Sequence, residues 1–199
     1  MTASLAFFGA FNPPTSAHID LAEFAMKALG RDHVIFVPSQ STYISGFQGK
    51  DYAFSNEERL SMLNTVAAAR PWMRVCDWEM KQEKQPKTYQ TLCHLREEGE
   101  CPSLLIGSDK LIELETKWQF TREISDEFGI VCMDRGADNC EEIIRGSEFL
   151  QGLNLTVLSV PDEYHGISST EARKYLRQIQ EAKEALKDIL PPELDGLYQ

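Results

Sequence analysis

The chain has 199 residues, 42% of them hydrophobic, which suits a single globular domain with a full core over residues 1–199. Its formal net charge of -11 argues against a general nucleic-acid binder, because phosphate backbones demand basic surface. No apolar run reaches the ~18 residues a membrane span needs, and the N-terminus lacks the basic-then-apolar pattern of a secretion signal, so the sequence reads as cytoplasmic and without a membrane partner.

The first predicted element is a buried strand over Ser4-Leu5-Ala6-Phe7-Phe8. Leu21, Ala22, Phe24, Ala25 and Leu29 then recur at helical spacing and predict a helix over Ile19 to Ala28. Between them, Gly9 permits a close backbone approach, and Pro13-Pro14 delays the helix until Thr15 or Ser16 can cap it. His18 falls in the first helical turn, beside free backbone N–H groups and the positive end of the helix dipole, a place that suits a phosphate.

Val34-Ile35-Phe36-Val37 predicts the second strand, so the strand–helix–strand unit implies a parallel crossover. A long polar loop, Ser39 to Phe54, carries Lys50. Ser55-Asn56-Glu57-Glu58 reads as a capping box ahead of a helix through Leu60, Leu63 and Val66. Met73 to Trp78 predicts a third strand, Thr88 to Leu95 a helix, and Ser103 to Gly107 a fourth strand that delivers Ser108-Asp109 into a helix start. There Gly107 lets backbone approach a ligand and Asp109 can accept ribose hydroxyls. Gly129 to Met133 and Leu153 to Leu158 are the last strands, separated by a surface helix over Glu141 to Leu150. Ile167-Ser168-Ser169-Thr170 then opens a C-terminal helix whose first-turn N–H groups and hydroxyls form a second anion cradle, with Arg173 on the same face as Thr170. The alternation gives an α/β fold with a doubly wound parallel sheet and a helical C-terminal segment over about 168–199. Cys76, Cys93, Cys101, Cys132 and Cys140 contain no C-x-x-C, and they read as reduced structural thiols with no metal site.

Gly9-x-Phe11-Asn12-Pro13-x-Thr15-x-x-His18 and Ile167-Ser168-Ser169-Thr170-x-x-Arg173 resemble the two signatures of the nucleotidyltransferase superfamily. The first is most similar to nicotinamide/nicotinate mononucleotide adenylyltransferases. The resemblance extends through Lys50, Ser55, Arg59 and Met62-Leu63, through Asp77-Trp78-Glu79 and Thr88-x-x-Thr91-Leu92, and through Gly107-Ser108-Asp109 to Trp118. It departs at Gln85-Pro86-Lys87, where the family carries an aromatic wall of its pyridine pocket.

The resemblance implies a Rossmann-like nucleotidyltransferase that joins the AMP moiety of ATP to nicotinate or nicotinamide mononucleotide, releasing pyrophosphate, with Mg²⁺ accompanying ATP. It implies His18, Arg173, Lys50 and Thr15 as the catalytic set. ATP would be held by Gly9, Ala10, Phe11, His18, Gly107, Asp109, Ile167, Ser168, Ser169, Thr170 and Arg173, and the mononucleotide by Phe11, Asn12, Lys50, Thr88 and Trp118. Two alternatives keep the fold: a nucleotidyltransferase with another phosphorylated acceptor, and a non-catalytic dinucleotide sensor. The sequence leaves open the choice of pyridine and the oligomeric state, a homo-oligomer included.

Overall fold

The computed structural model of the chain describes residues 2–41, 54–134 and 139–161. The apolar runs form six strands: β1 Thr2–Gly9, β2 His33–Pro38, β3 Met73–Val75, β4 Glu100–Gly107, β5 Ile130–Asp134 and β6 Leu155–Ser159. All pair in parallel, in the order β3-β2-β1-β4-β5-β6. The winding reverses between β1 and β4, and in such sheets the crevice beyond the strand carboxyl ends at that point receives the ligand.

Strand periodicity sorts the core into two layers. Leu5, Phe7, Val34, Phe36, Leu105 and Met133 face α1 (Ser16–Ala28) and α2 (Asn56–Ala68), burying Leu21, Ala22, Ala25 and Leu63 against the sheet. Ala6, Ile35, Leu104, Ile106 and Cys132 face the other way, against α3 (Thr88–Glu97) and, after the one-turn helix α4 (Glu113–Thr116), α5 (Thr121–Phe128), which bury Leu92, Leu95 and Ile124. Helices on both faces make the sheet doubly wound, as the alternation predicts. All five cysteines are free thiols. Among the described residues no helix is long and apolar enough to cross a membrane.

Three elements differ from the sequence reading. The third strand stops at Val75, because after one more ladder bond, Cys76 N–H to Phe36 O, the chain turns into a 3-10 helix over Glu79–Lys81. Ser108-Asp109 opens only a 3-10 turn, Ser108–Lys110, before α4. The single helix expected over residues 141–150 is two short ones, α6 Cys140–Arg145 and α7 Glu148–Gln151. Ser147 breaks it by capping α7 through Leu150 N–H (3.2 Å) while its hydroxyl donates to Glu115 (2.7 Å). The C-terminal helical segment lies outside the described residues.

Candidate active site

Phe7 of β1 pairs with Leu105 of β4, so Gly9 and Gly107, each two residues on, leave their strands side by side at the switch point. The backbone after Gly9 turns sharply. Phe11 adopts φ 42°, and its ring folds back beneath the turn, edge-on to Phe7 with centroids 5.6 Å apart and 1% exposed. A Cβ on Gly9 would sit 3.0 Å from that ring, so the close approach requires glycine. The Phe11 side chain therefore belongs to the core. What it offers a ligand is backbone, as do the half-exposed Gly9 and Ala10.

Asn12 is fully buried, and its side-chain oxygen accepts from Phe54 N–H (2.9 Å), tying the turn to the approach of α2. Thr15 is the N-cap of α1. His18 occupies the third helical position, where glutamate or glutamine usually reaches back in a capping box. Its Nδ1 lies 3.0 Å from Thr15 N–H and 2.9 Å from Thr15 Oγ1. A backbone N–H can only donate, so Nδ1 is the acceptor and the ring proton sits on Nε2, at the far side of the ring. The edge-on contact with Phe11, 5.2 Å between centroids, holds the ring plane. The result is a histidine whose tautomer and direction are set by the same helix end whose dipole favours anions.

Across the switch point, Ser108 is buried, while the Asp109 side chain is 67% exposed with Lys110 Nζ 3.4 Å away. Thr88 begins α3, and Trp118 lies half-buried against the α3 face of the core. Their chain neighbours join them: Tyr89 stacks on Phe120 at 5.4 Å and 25°, and its hydroxyl donates to Glu127 (2.7 Å). The Tyr89–Phe120 stack thus links the start of α3 to the segment that follows Trp118. Lys50, Ile167, Ser168, Ser169, Thr170 and Arg173 lie outside the described residues.

Two buried polar groups near these strand ends had no role assigned from sequence. Arg59 of α2 is fully buried and donates to the carbonyls of Ala10 (2.6 Å), Ser39 and Phe54 (3.3 Å), to Ser41 Oγ (3.1 Å) and to Asn56 Oδ1 (2.9 Å). Burial lowers its pKa to about 10, so it stays a cation near neutral pH. Glu79 is 1% exposed and accepts from Thr91 Oγ1 (2.7 Å) and from the Gln85 amide. Burial pushes its carboxyl up to about 7, against the opposing pull of those two hydrogen bonds. Gln85 also accepts from Gln40 N–H (2.9 Å). At the departure from the family pattern, the Gln85 side chain is therefore turned into a polar network and forms no aromatic wall. The i, i+3 spacing of Asn56 and Arg59 was a sequence signal for one of these contacts; the acceptors at residues 10, 39 and 54 left none.

A cavity of about 360 Å³ opens away from these residues, on the α3 face between Ile35, Arg74, Trp78, His94 and Glu100. Ion pairs already answer its charges: Arg74–Glu100 (2.8 Å), Lys81–Asp77 (2.7 Å) and His94–Glu98 (3.5 Å). None of the first-signature residues lines it, and the strand carboxyl ends are the better candidate for the chemistry.

Among curated proteins, the chain is 29% identical over 196 residues to a Neisseria meningitidis protein named "Probable nicotinate-nucleotide adenylyltransferase", covering 94% of this chain and 90% of that one. It is 28% identical over 184 residues to the nicotinamide/nicotinic acid mononucleotide adenylyltransferase of Arabidopsis thaliana, covering 83% and 76%. Solved structures of the Plasmodium falciparum nicotinic acid mononucleotide adenylyltransferase, complexed with APC and with NaAD, share the fold at TM-scores of 0.67 and 0.66, with 18% and 17% identity over 88% of this chain and 84% of theirs. The model of the cytidylyltransferase-like family matches residues 6–175, and the chain belongs to that family.

Proposed function

We propose that the protein is an adenylyltransferase of NAD biosynthesis that joins the AMP moiety of ATP to nicotinate or nicotinamide mononucleotide and releases pyrophosphate. The observation that carries this reading is the tautomer-fixed His18 at the N-terminus of α1, beside accessible glycine backbone at the switch point. The names of the similar proteins from Neisseria and Arabidopsis support the choice of acceptor.

In the reaction, an oxygen of the mononucleotide 5′-phosphate attacks the α-phosphorus of ATP in line. That P–O bond forms as the bond to the α,β-bridging oxygen breaks, and pyrophosphate leaves with the electron pair. The attacking phosphate is already an anion, so no general base is required; catalysis is placement and charge stabilisation. His18 Nε2–H donates to the α/β-phosphate oxygens, a bond that strengthens as charge moves onto the leaving group. Thr15 holds the imidazole through Nδ1. Backbone of Gly9, Ala10 and Phe11 lines the phosphates, and Gly107 and Asp109 take the sugar. Asn12 shapes the mononucleotide side through Phe54. Trp118 and Thr88 receive the pyridine. Lys50, Ile167, Ser168, Ser169, Thr170 and Arg173 are assigned to the phosphates through their match to the family signatures. Mg²⁺ would accompany ATP, whose triphosphate oxygens would hold it and whose charge it would neutralise. Substrates of this kind are water-soluble and fit a cytoplasmic enzyme.

The test is steady-state pyrophosphate release with ATP and Mg²⁺, offering the two mononucleotides in parallel. Turnover is expected, and the ratio of the two kcat/KM values names the acceptor. Folded protein that binds ATP yet turns over neither would overturn the acceptor. Dinucleotide binding without any pyrophosphate release would overturn the enzyme in favour of a sensor.

A further inference from the structure

Arg59 is a fully buried guanidinium, and none of its five described partners is a carboxylate. Three are backbone carbonyls, and one of them, Ala10 O at 2.6 Å, lies inside the turn between Gly9 and His18. A trans peptide sets its carbonyl oxygen and the following N–H on opposite sides. With the Ala10 oxygen drawn in toward Arg59, the Phe11 N–H faces the other way. Among the described residues that N–H donates to nothing. The preceding carbonyl is committed as well: Gly9 O accepts from Ser39 N–H (3.0 Å), and Ser39 O in turn accepts from Arg59. Both carbonyls that would repel an anion are therefore anchored to other groups, and the Phe11 N–H points away from Arg59.

Resting on the adenylyltransferase reading, we propose that Arg59 is a positioning residue of the phosphate site: by holding the Ala10 carbonyl inward, it presents the Phe11 N–H to a phosphate oxygen of the nucleotide. Lysine cannot replace it, because a single ammonium lacks the planar fork that reaches Ala10, Ser39 and Asn56 together.

The test uses full-length wild type, Arg59→Lys and Asn56→Ala, with inorganic pyrophosphate as the probe. Calorimetry reads its affinity, thermal melting reads the fold, and the Phe11 amide shift reads the contact in wild type. Arg59→Lys is expected to weaken pyrophosphate roughly tenfold or more, the loss of a hydrogen bond to a charged group, and to lower kcat measured on the folded fraction. Asn56→Ala, which trims the same cluster without releasing Ala10, is expected to lower the melting temperature yet keep pyrophosphate affinity. Equal loss of affinity in both variants would make Arg59 merely structural and overturn the proposal. So would a Phe11 amide that does not move on pyrophosphate addition, a readout that holds even if Arg59→Lys fails to fold. Wild-type protein inactive with both mononucleotides would overturn the adenylyltransferase reading; active wild type with an unmoved Phe11 amide would overturn only this proposal.

Discussion

At the carboxyl edge of the sheet Arg59 is wholly buried, and carbonyl, hydroxyl and amide oxygens surround it. At the amino edge His33 is 3% exposed, and its Nε2 lies 3.0 Å from Glu100, which Arg74 also reaches at 2.8 Å. There, Ser4 Oγ and Arg31 Nε are buried without a hydrogen-bond partner among the described residues. Both edges bury charge, yet only the carboxyl edge surrounds it with acceptors drawn from three stretches of chain, at Ala10, Ser39–Ser41 and Phe54–Asn56. The lesson is that polar satisfaction is concentrated where backbone direction matters. The amino edge only has to close one end of the core, and it tolerates imperfect pairing.

The largest expected effect is at the carboxyl edge. His18→Ala should lower kcat for pyrophosphate release by about 100-fold or more, as expected for a lost transition-state donor, and near-wild-type turnover would remove His18 from the mechanism. Next is Glu79. Its folded carboxyl titrates at about 7 instead of 4.5, so the folded state holds the proton more tightly than the unfolded chain. The stabilisation is complete below pH 4.5 and is lost as pH rises to about 7, on the order of 3 kcal/mol in all. Glu79→Gln should flatten that slope in urea titrations run across the window, and an unchanged slope would place the titration elsewhere.

His33 sharpens the contrast with the opposite sign. Burial lowers its pKa, with Glu100 opposing, so its contribution is lost as pH falls below 6.5. Gly9→Ala pushes a methyl against the Phe11 ring and should cost about 1–3 kcal/mol, read by thermal or urea unfolding. The smallest effect belongs to Arg74→Met at the amino edge. That side chain is 56% exposed, and its loss should cost less than about 1 kcal/mol by the same measurement.

These two edges were not equally legible in the sequence. The strands could be read because each is a short apolar run bounded by polar or turn residues, and the phosphate turn because glycine, prolines, cap and histidine are contiguous. The break at Ser147 was missed because a cap competes with a helix through one hydroxyl, which periodicity does not register. Arg59 shows no role in the sequence, since three of its five acceptors are backbone carbonyls up to 49 positions away. Glu79 likewise sits unmarked in Asp77-Trp78-Glu79, and only burial between Thr91 and Gln85 gives it an unusual carboxyl.

The reach of His18 back to Thr15 N–H has a practical consequence for anyone wanting the enzyme stalled with both substrates aboard. Alanine at position 18 deletes the imidazole and loosens the first turn of α1 together, so a dead variant made that way confounds chemistry with scaffold. Glutamine, the residue that usually occupies this place in a capping box, keeps an acceptor for the Thr15 N–H while withdrawing the imidazole Nε2–H. On the proposed role of His18, His18→Gln is the trap suited to capturing a ternary complex, expected to lower turnover while keeping the helix entrance intact.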